Sequence, residues 1–247
     1  MSYAGENLAS APFRGFPRTI PLRFTRMGSP DETCWSLIHA AAAGGDSHRT
    51  RFARTYETAM RAYFASRWRL PHLRERIDDA VQEAFVECFR AGGVLERADA
   101  QRPGGFRAFL YGVLRNVALR TEERVQRDAA DTLKTEHDPA AETQLSEAFD
   151  RAWAAAIMRH AGDIQRERAA RDGAEAQRRV ELLHLRFHEG LPIREIARRW
   201  QMETLHVHRQ YARAREEFHD ALRAAIRFHA PDAANIDDEC ERMLAAL

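Results

Sequence analysis

Within ten residues near the C-terminus, His206, His208, Arg209, Arg213 and Arg215 supply imidazole and guanidinium donors. Such donors bond phosphate oxygens and guanine edges, where an arginine can bond O6 and N7 together. A second group, Asp78, Asp79, Gln82 and Glu83, sets carboxylates at helical spacing, as a surface that steers and registers a basic partner would. A third group comprises Phe106, Arg107, Arg115, Asn116 and Arg120, close to Gly92, Gly93, Gly104 and Gly105. A glycine-rich connection there is adaptable enough to take up an unstacked base. Thr50 stands between Arg49 and Arg51 with Arg54 behind it, so a phosphate on its hydroxyl would meet guanidinium groups.

Metal and covalent chemistry fare less well. Glu181…His184 and Glu216…His219 are Glu-x-x-His strings, as in di-iron bundles, which also need two further Glu on four long helices. Gly190 and Pro192 interrupt the chain too soon after the first string. His184 and His188 are four apart but lack an evident third zinc ligand. With no phosphate loop and no nucleophile motif, the expectation is no enzyme, no cofactor and no metal.

The elements that must hold these groups are helices. Ile193, Ile196, Ala197 and Trp200 fall three and four apart, as do Val207, Tyr211, Ala214, Phe218 and Leu222. Between the two runs lies a four-residue polar turn ending in Thr204, a good N-cap. Together they predict a helix-turn-helix over 191–222 whose second helix carries the basic group. In 77–89, Ile77, Val81, Ala84, Phe85, Cys88 and Phe89 share one face and the acids the other. In 106–120, Phe106, Phe109, Leu110, Val113, Leu114 and Val117 form a core stripe, with the basic residues off it.

The chain is rich in Ala, Arg, Glu and Leu and has no β-rich run, which predicts an all-α protein. A net charge of +1 over 247 residues excludes a polycation, so any nucleic-acid surface is local. Residues 191–216 hold six Arg against three Glu, whereas 231–247 hold five acids against one Arg. The expected organisation is two small helical domains joined by a polar linker. It comprises a disordered segment 1–31, a first domain 32–127, a linker 128–145, a second domain 146–228 and an acidic amphipathic tail 229–247. Within the second domain, a long helix from Ala148 to about Ala170 should break near Gly173. The tail should dock on the second domain, with its acids over the basic helix. Cys34, Cys88 and Cys240 have no metal or redox spacing, and no run approaches a membrane span. A cytoplasmic protein with no membrane contact is expected.

Three segments in one order carry a resemblance. Asp-Asp-Ala-Val-Gln-Glu-Ala-Phe (78–85), Phe-Arg-Ala-Phe-Leu-Tyr-Gly-Val-Leu-Arg-Asn-Val-Ala-Leu (106–119) and Gly190 through Leu222 resemble extracytoplasmic-function RNA polymerase sigma factors. The resemblance covers about Thr33 to Leu222. It implies that Asp78, Asp79, Gln82 and Glu83 bind core RNA polymerase, and that 32–127 is the region-2 domain. It implies that Phe106, Arg107, Arg115, Asn116 and Arg120 meet the melted −10 strand, a flipped base entering the 90–106 loop. It further implies that 146–228 is the region-4 domain, with His206, His208, Arg209, Arg213 and Arg215 on the double-stranded −35 element. The strings 33–38 and 149–154 are similar to a subgroup linked to Ser/Thr kinases, which makes Thr50 the expected phosphorylation site and a kinase or an anti-sigma factor the implied regulator. Gln201 stands where the family has a turn Gly, Phe109 where Trp is common, Arg120 at an often acidic position, and His208 and Gln210 where Lys or Arg is common. An unusual promoter and a pH-sensitive affinity are expected from these departures. The competing reading is a helix-turn-helix regulator that binds duplex DNA without polymerase; a metal-binding helical protein is a more distant alternative.

Overall fold

The computed structural model describes residues 34–98, 105–129, 139–230 and 236–245. The fold is all-α, with no strand among these residues. In chain order the helices are α1 (Cys34–Ala42), α2 (Asp46–Arg67), α3 (Pro71–Arg74), α4 (Ile77–Phe89) and α5 (Gly105–Ala129), then α6 (Pro139–Asp172), α7 (Ala174–Phe187), α8 (Ile193–Arg199), α9 (Thr204–His229) and α10 (Ile236–Ala245). No helix among the described residues is long and apolar enough to cross a membrane. They fall into two compact units. One is Gln165–His219; the other runs up to Ile164 and takes in the residues from Asp220 onward.

The larger unit is built around α2, whose Phe52, Tyr56, Met60, Tyr63 and Phe64 are fully buried. Their three- and four-residue spacing makes one continuous aromatic face. Tyr56 stacks on Trp153 at 5.3 Å between ring centroids and meets Phe106 at 5.1 Å. Phe106 also lies edge-on to Phe52 at 5.8 Å, and Phe149 to Tyr111 at 5.4 Å. Each such pair adds about 0.5–1.5 kcal/mol beyond the area it buries. At the C-terminal end of α2, Glu122 of α5 accepts two hydrogen bonds from Arg67, at 2.7 and 3.0 Å, and one from the Trp68 indole at 2.7 Å. The Glu122 carboxylate holds the Arg67 guanidinium above its ordinary pKa.

A polar chain crosses this core. The Tyr56 hydroxyl lies 3.3 Å from Nδ1 of His229, and Nε2 of His229 lies 3.4 Å from Nδ1 of His160. The Cys34 thiol donates to the His229 carbonyl at 3.4 Å. Burial pushes both imidazoles down, His160 to about 4, and the nearby Arg51 charge adds to the effect.

Two sequence boundaries differ from this arrangement. The linker expected over 128–145 is helical at both ends, since α5 continues to Ala129 and α6 starts at Pro139; residues 130–138 lie outside the described set. The residues to Ile164, expected in the second domain, belong to the larger unit because Phe149, Trp153 and Ile157 are buried in it. So do the end of α9 and the tail helix α10, whose Asp237 accepts a 2.8 Å hydrogen bond from Arg223. The tail thus meets α9 at Arg223, a residue within the span 146–228 on which docking was expected. The expected break falls at Gly173, whose φ of +99° suits glycine. The N-terminal segment 1–31 lies outside the described residues.

The buried imidazoles set an acid limit. The unfolded chain takes up protons on histidine near pH 6.5, whereas folded His160 resists protonation to about 4. The stability these groups contribute is therefore complete above pH 6.5 and lost as pH falls toward 4. With its partial exposure allowed for, His160 accounts for about 2 kcal/mol. Urea melts of wild type and His160→Gln should converge over that interval; a constant difference from pH 7 to 4 would refute the assignment.

Candidate nucleic-acid interface

In the smaller unit, Leu182 and Leu185 of α7, Ile193, Ile196 and Ala197 of α8, and Val207 of α9 make one core, with Trp200 and Tyr211 packed against it. Helix α8 ends in a tight reversal. Gln201 N–H donates to the Arg198 carbonyl at 3.1 Å and Met202 N–H to that of Ala197 at 3.0 Å. This hydrogen-bond pair is the Schellman arrangement, which puts the residue after the cap in the left-handed region. That residue is Gln201, with φ of +54°, where the resembling family has glycine. The reversal between α8 and α9 is thus closed with glutamine at the left-handed position, at a cost of about 1 kcal/mol of steric strain.

The turn presents the first part of α9. His206, His208, Arg209, Arg213 and Arg215 are all exposed, so the structure keeps the five expected residues on one helix and in solvent. Arg209 pairs with no acid among the described residues. Arg213 lies 3.5 Å from Glu217 and is 64 % exposed, and the Arg215 guanidinium sits 5.9 Å from the Tyr211 ring centre. Gln210 has a different task. Its amide nitrogen donates to Glu175 at 3.0 Å and its oxygen accepts from Arg179 at 3.4 Å, both residues of α7. Arg179 is 5 % exposed and donates to both oxygens of Glu217, at 2.9 and 3.0 Å. This Arg179–Glu217–Gln210 set, buried at Arg179, ties α9 to α7, and sequence reading missed it. Its only sequence trace is an arginine on the apolar side of α7, one helical turn after Glu175.

In the larger unit the acidic group sits on α4 as expected, but unequally. Asp78 and Asp79 are each 74 % exposed; Asp78 pairs with Arg61, and Asp79 stands 3.9 Å from Arg76. Gln82 is exposed. Glu83 is not free: it pairs with Arg124 and lies 3.6 Å from Arg120, both of α5. Val86, one turn beyond Gln82, is 63 % exposed. It adds an apolar patch to the acidic face that the charge pattern did not reveal.

The basic group on α5 departs most from expectation. Phe106, assigned to base capture, is 2 % exposed and enclosed by Trp35, Phe52, Tyr56 and Trp153. It is a core residue, as its place in the apolar stripe required. Arg107 lies 2.8 Å from Asp150, Arg115 lies 3.6 Å from Glu142, and Arg120 lies 3.1 Å from Glu87. Asn116 is exposed. Within the expected base-binding loop 90–106, residues 99–104 lie outside the described set.

Thr50 is exposed but is the fifth residue of α2, because the helix begins at Asp46 and not near Phe52. Its hydroxyl donates to the Asp46 carbonyl at 2.9 Å. Arg49 is spent on the carbonyls of Ala41 and Phe89, at 3.0 and 3.2 Å. A phosphate at Thr50 would sit past the first turn, where the helix-end field has fallen off, with Arg54 one turn away.

No family model, no curated protein and no solved structure matches the chain.

Two substitutions test the geometry of the smaller unit. Gln201→Gly should raise its stability by about 0.5–1 kcal/mol, read as a higher melting temperature, because the strained Cβ disappears; Gln201→Ala should give no gain. Glu217→Ala should lower the melting temperature by leaving buried Arg179 only the more distant Glu175 carboxylate, and equal melts of variant and wild type would show that Glu175 suffices.

Proposed function

We propose that this chain is a sigma factor that binds core RNA polymerase and directs promoter recognition, DNA melting and transcription initiation. The observation that carries the reading is the helix-turn-helix: a buried Ile193–Ile196–Val207 core holding five exposed imidazole and guanidinium side chains on α9. A surface of that shape enters the major groove, where Arg209 and Arg213 each reach guanine O6 and N7, worth about 1–3 kcal/mol of discrimination apiece. His206, His208 and Arg215 fall to backbone phosphates and neighbouring edges.

The acidic face of α4 takes the basic clamp of polymerase. Asp79 is its best anchor, being exposed and only loosely paired, with Asp78 and Gln82 beside it and Val86 supplying apolar contact. On α5, Arg107, Arg115, Asn116 and Arg120 contact the melted strand, with Phe106 as the core support of that helix. The reading needs no catalytic residue, metal or cofactor, and it places the protein in the cytoplasm. A Ser/Thr kinase acting on Thr50, or an anti-sigma factor, is the regulator consistent with it.

Asp79→Lys should abolish retention of core polymerase in a pull-down while leaving the helical circular dichroism unchanged. Glu83→Lys should lose retention and also stability, since it removes the carboxylate of Arg124 and sets a like charge beside Arg120. Failure of the wild-type chain to retain polymerase, with DNA binding intact, would favour a regulator that acts on duplex DNA alone, and wild-type retention by Asp79→Lys would take the contact off α4. Arg209→Ala with Arg213→Ala should erase the difference between an intact and a scrambled −35 element in transcription assays, with polymerase retention unchanged.

A further inference from the structure

Three cations of α5 are assigned to nucleic acid, and in this structure all three are already matched to carboxylates of the same chain. Two matches come from the first turns of α6. Glu142 accepts a 2.8 Å hydrogen bond from the Tyr111 hydroxyl and lies 3.6 Å from Arg115; Asp150 lies 2.8 Å from Arg107. Between and beyond these acids, Phe149 packs on Tyr111 and Trp153 stacks on Tyr56, within 15° of parallel. Carboxylates on arginines are what a single strand brings to a protein as phosphates, and the buried rings of α6 hold these carboxylates in place. We infer that the segment of α6 from Glu142 to Trp153 is a built-in competitor for single-stranded nucleic acid on α5. This inference rests on the reading of α5 as a strand-binding helix.

The two kinds of contact have unequal strength. Phe149 and Trp153 are at most 4 % exposed and hold α6 in place. The ion pairs are partly exposed, with side chains 31–43 % accessible, so each contributes little. Asp150 Oδ1, although close to Arg107, is buried and makes no aligned hydrogen bond. A nucleic-acid strand with a phosphate on every residue outcompetes such pairs once counterions are released. The free chain is therefore closed to weak, incidental strands and opens to one held in place by another contact.

The test is binding of a fluorescein-labelled oligo-dT strand to the full chain by anisotropy, at several salt concentrations. All arms carry Arg209→Ala and Arg213→Ala so that α9 contributes little. Glu142→Gln with Asp150→Asn should bind about five- to tenfold more tightly than its parent. Its salt dependence should be steeper by about 0.7 in log–log slope per arginine freed. Adding Arg107→Ala and Arg115→Ala should remove that gain. Glu142→Gln alone, freeing Arg115 only, gives the same comparison should the double change alter the thermal melt. Equal affinity and slope with and without the carboxylates, each weakened by the arginine changes, would overturn the competitor while leaving α5 as a strand binder. Binding that ignores Arg107 and Arg115 throughout, or no binding in any arm, would overturn the α5 reading itself and the inference with it.

Discussion

Tyr56 is the point at which distant stretches of chain are made to agree. Its ring is shared by Phe106 of α5 and Trp153 of α6, and its hydroxyl reaches His229 at the end of α9. None of these side chains can be displaced without uncovering the others, because interiors are packed as densely as organic crystals. The aromatic face of α2 therefore decides more than local stability. It fixes which side of α5 is core, which side is left to its arginines, and why the first turns of α6 lie against α5. The histidine pair is the polar consequence: two imidazoles brought into the same interior satisfy one another and stay neutral.

Charge is distributed on a different principle in the two units. In the larger one, exposed arginines on α5 are met by acids from α4 and α6, and Arg61 is held by Asp78 and Glu57. In the smaller one the buried charge, Arg179, is satisfied by Glu217, while Arg209 and His208 face solvent. A net charge of +1 conceals this contrast. Taken as two nucleic-acid surfaces, the α9 surface is ready as it stands and the α5 surface is not. Two modest binding surfaces on one chain gain from each other only when the target presents both sites at the right spacing.

Helical periodicity made the all-α fold and the helices α8 and α9 legible, and with them the solvent position of the five α9 residues. The turn was legible too, even with Gln201 in place of glycine, because the stripes on either side constrain the chain to reverse there. What sequence could not supply was partnership across long separations. Nothing in the spacing of Glu83 distinguishes it from Asp79, yet one pairs with two α5 arginines and the other stands nearly free. Phe106 satisfied both a core stripe and a base-binding motif, and burial chose the core. The domain boundary slipped for a related reason. A polar stretch broken by Pro139 reads as linker, but proline is well tolerated in a first helical turn, and Pro139 starts α6.

The shared carboxylate at Glu83 has a consequence for how the proposed activities relate. It faces the same acidic surface as Asp79, and it is also a counterion of Arg120 on α5. On the proposed reading, a basic clamp helix that engages Glu83 withdraws that counterion, leaving Arg120 to Glu87 and to any phosphate nearby. The reverse holds equally: a phosphate on Arg120 leaves Glu83 to Arg124 and to the clamp. Coupling of this kind is reciprocal by thermodynamic necessity, whatever its size. It needs no movement of helices, only exchange of partners among partly exposed ion pairs that are individually weak. Polymerase binding and strand binding would then reinforce one another through one side chain, and a chain without its polymerase would keep its α5 cations at home.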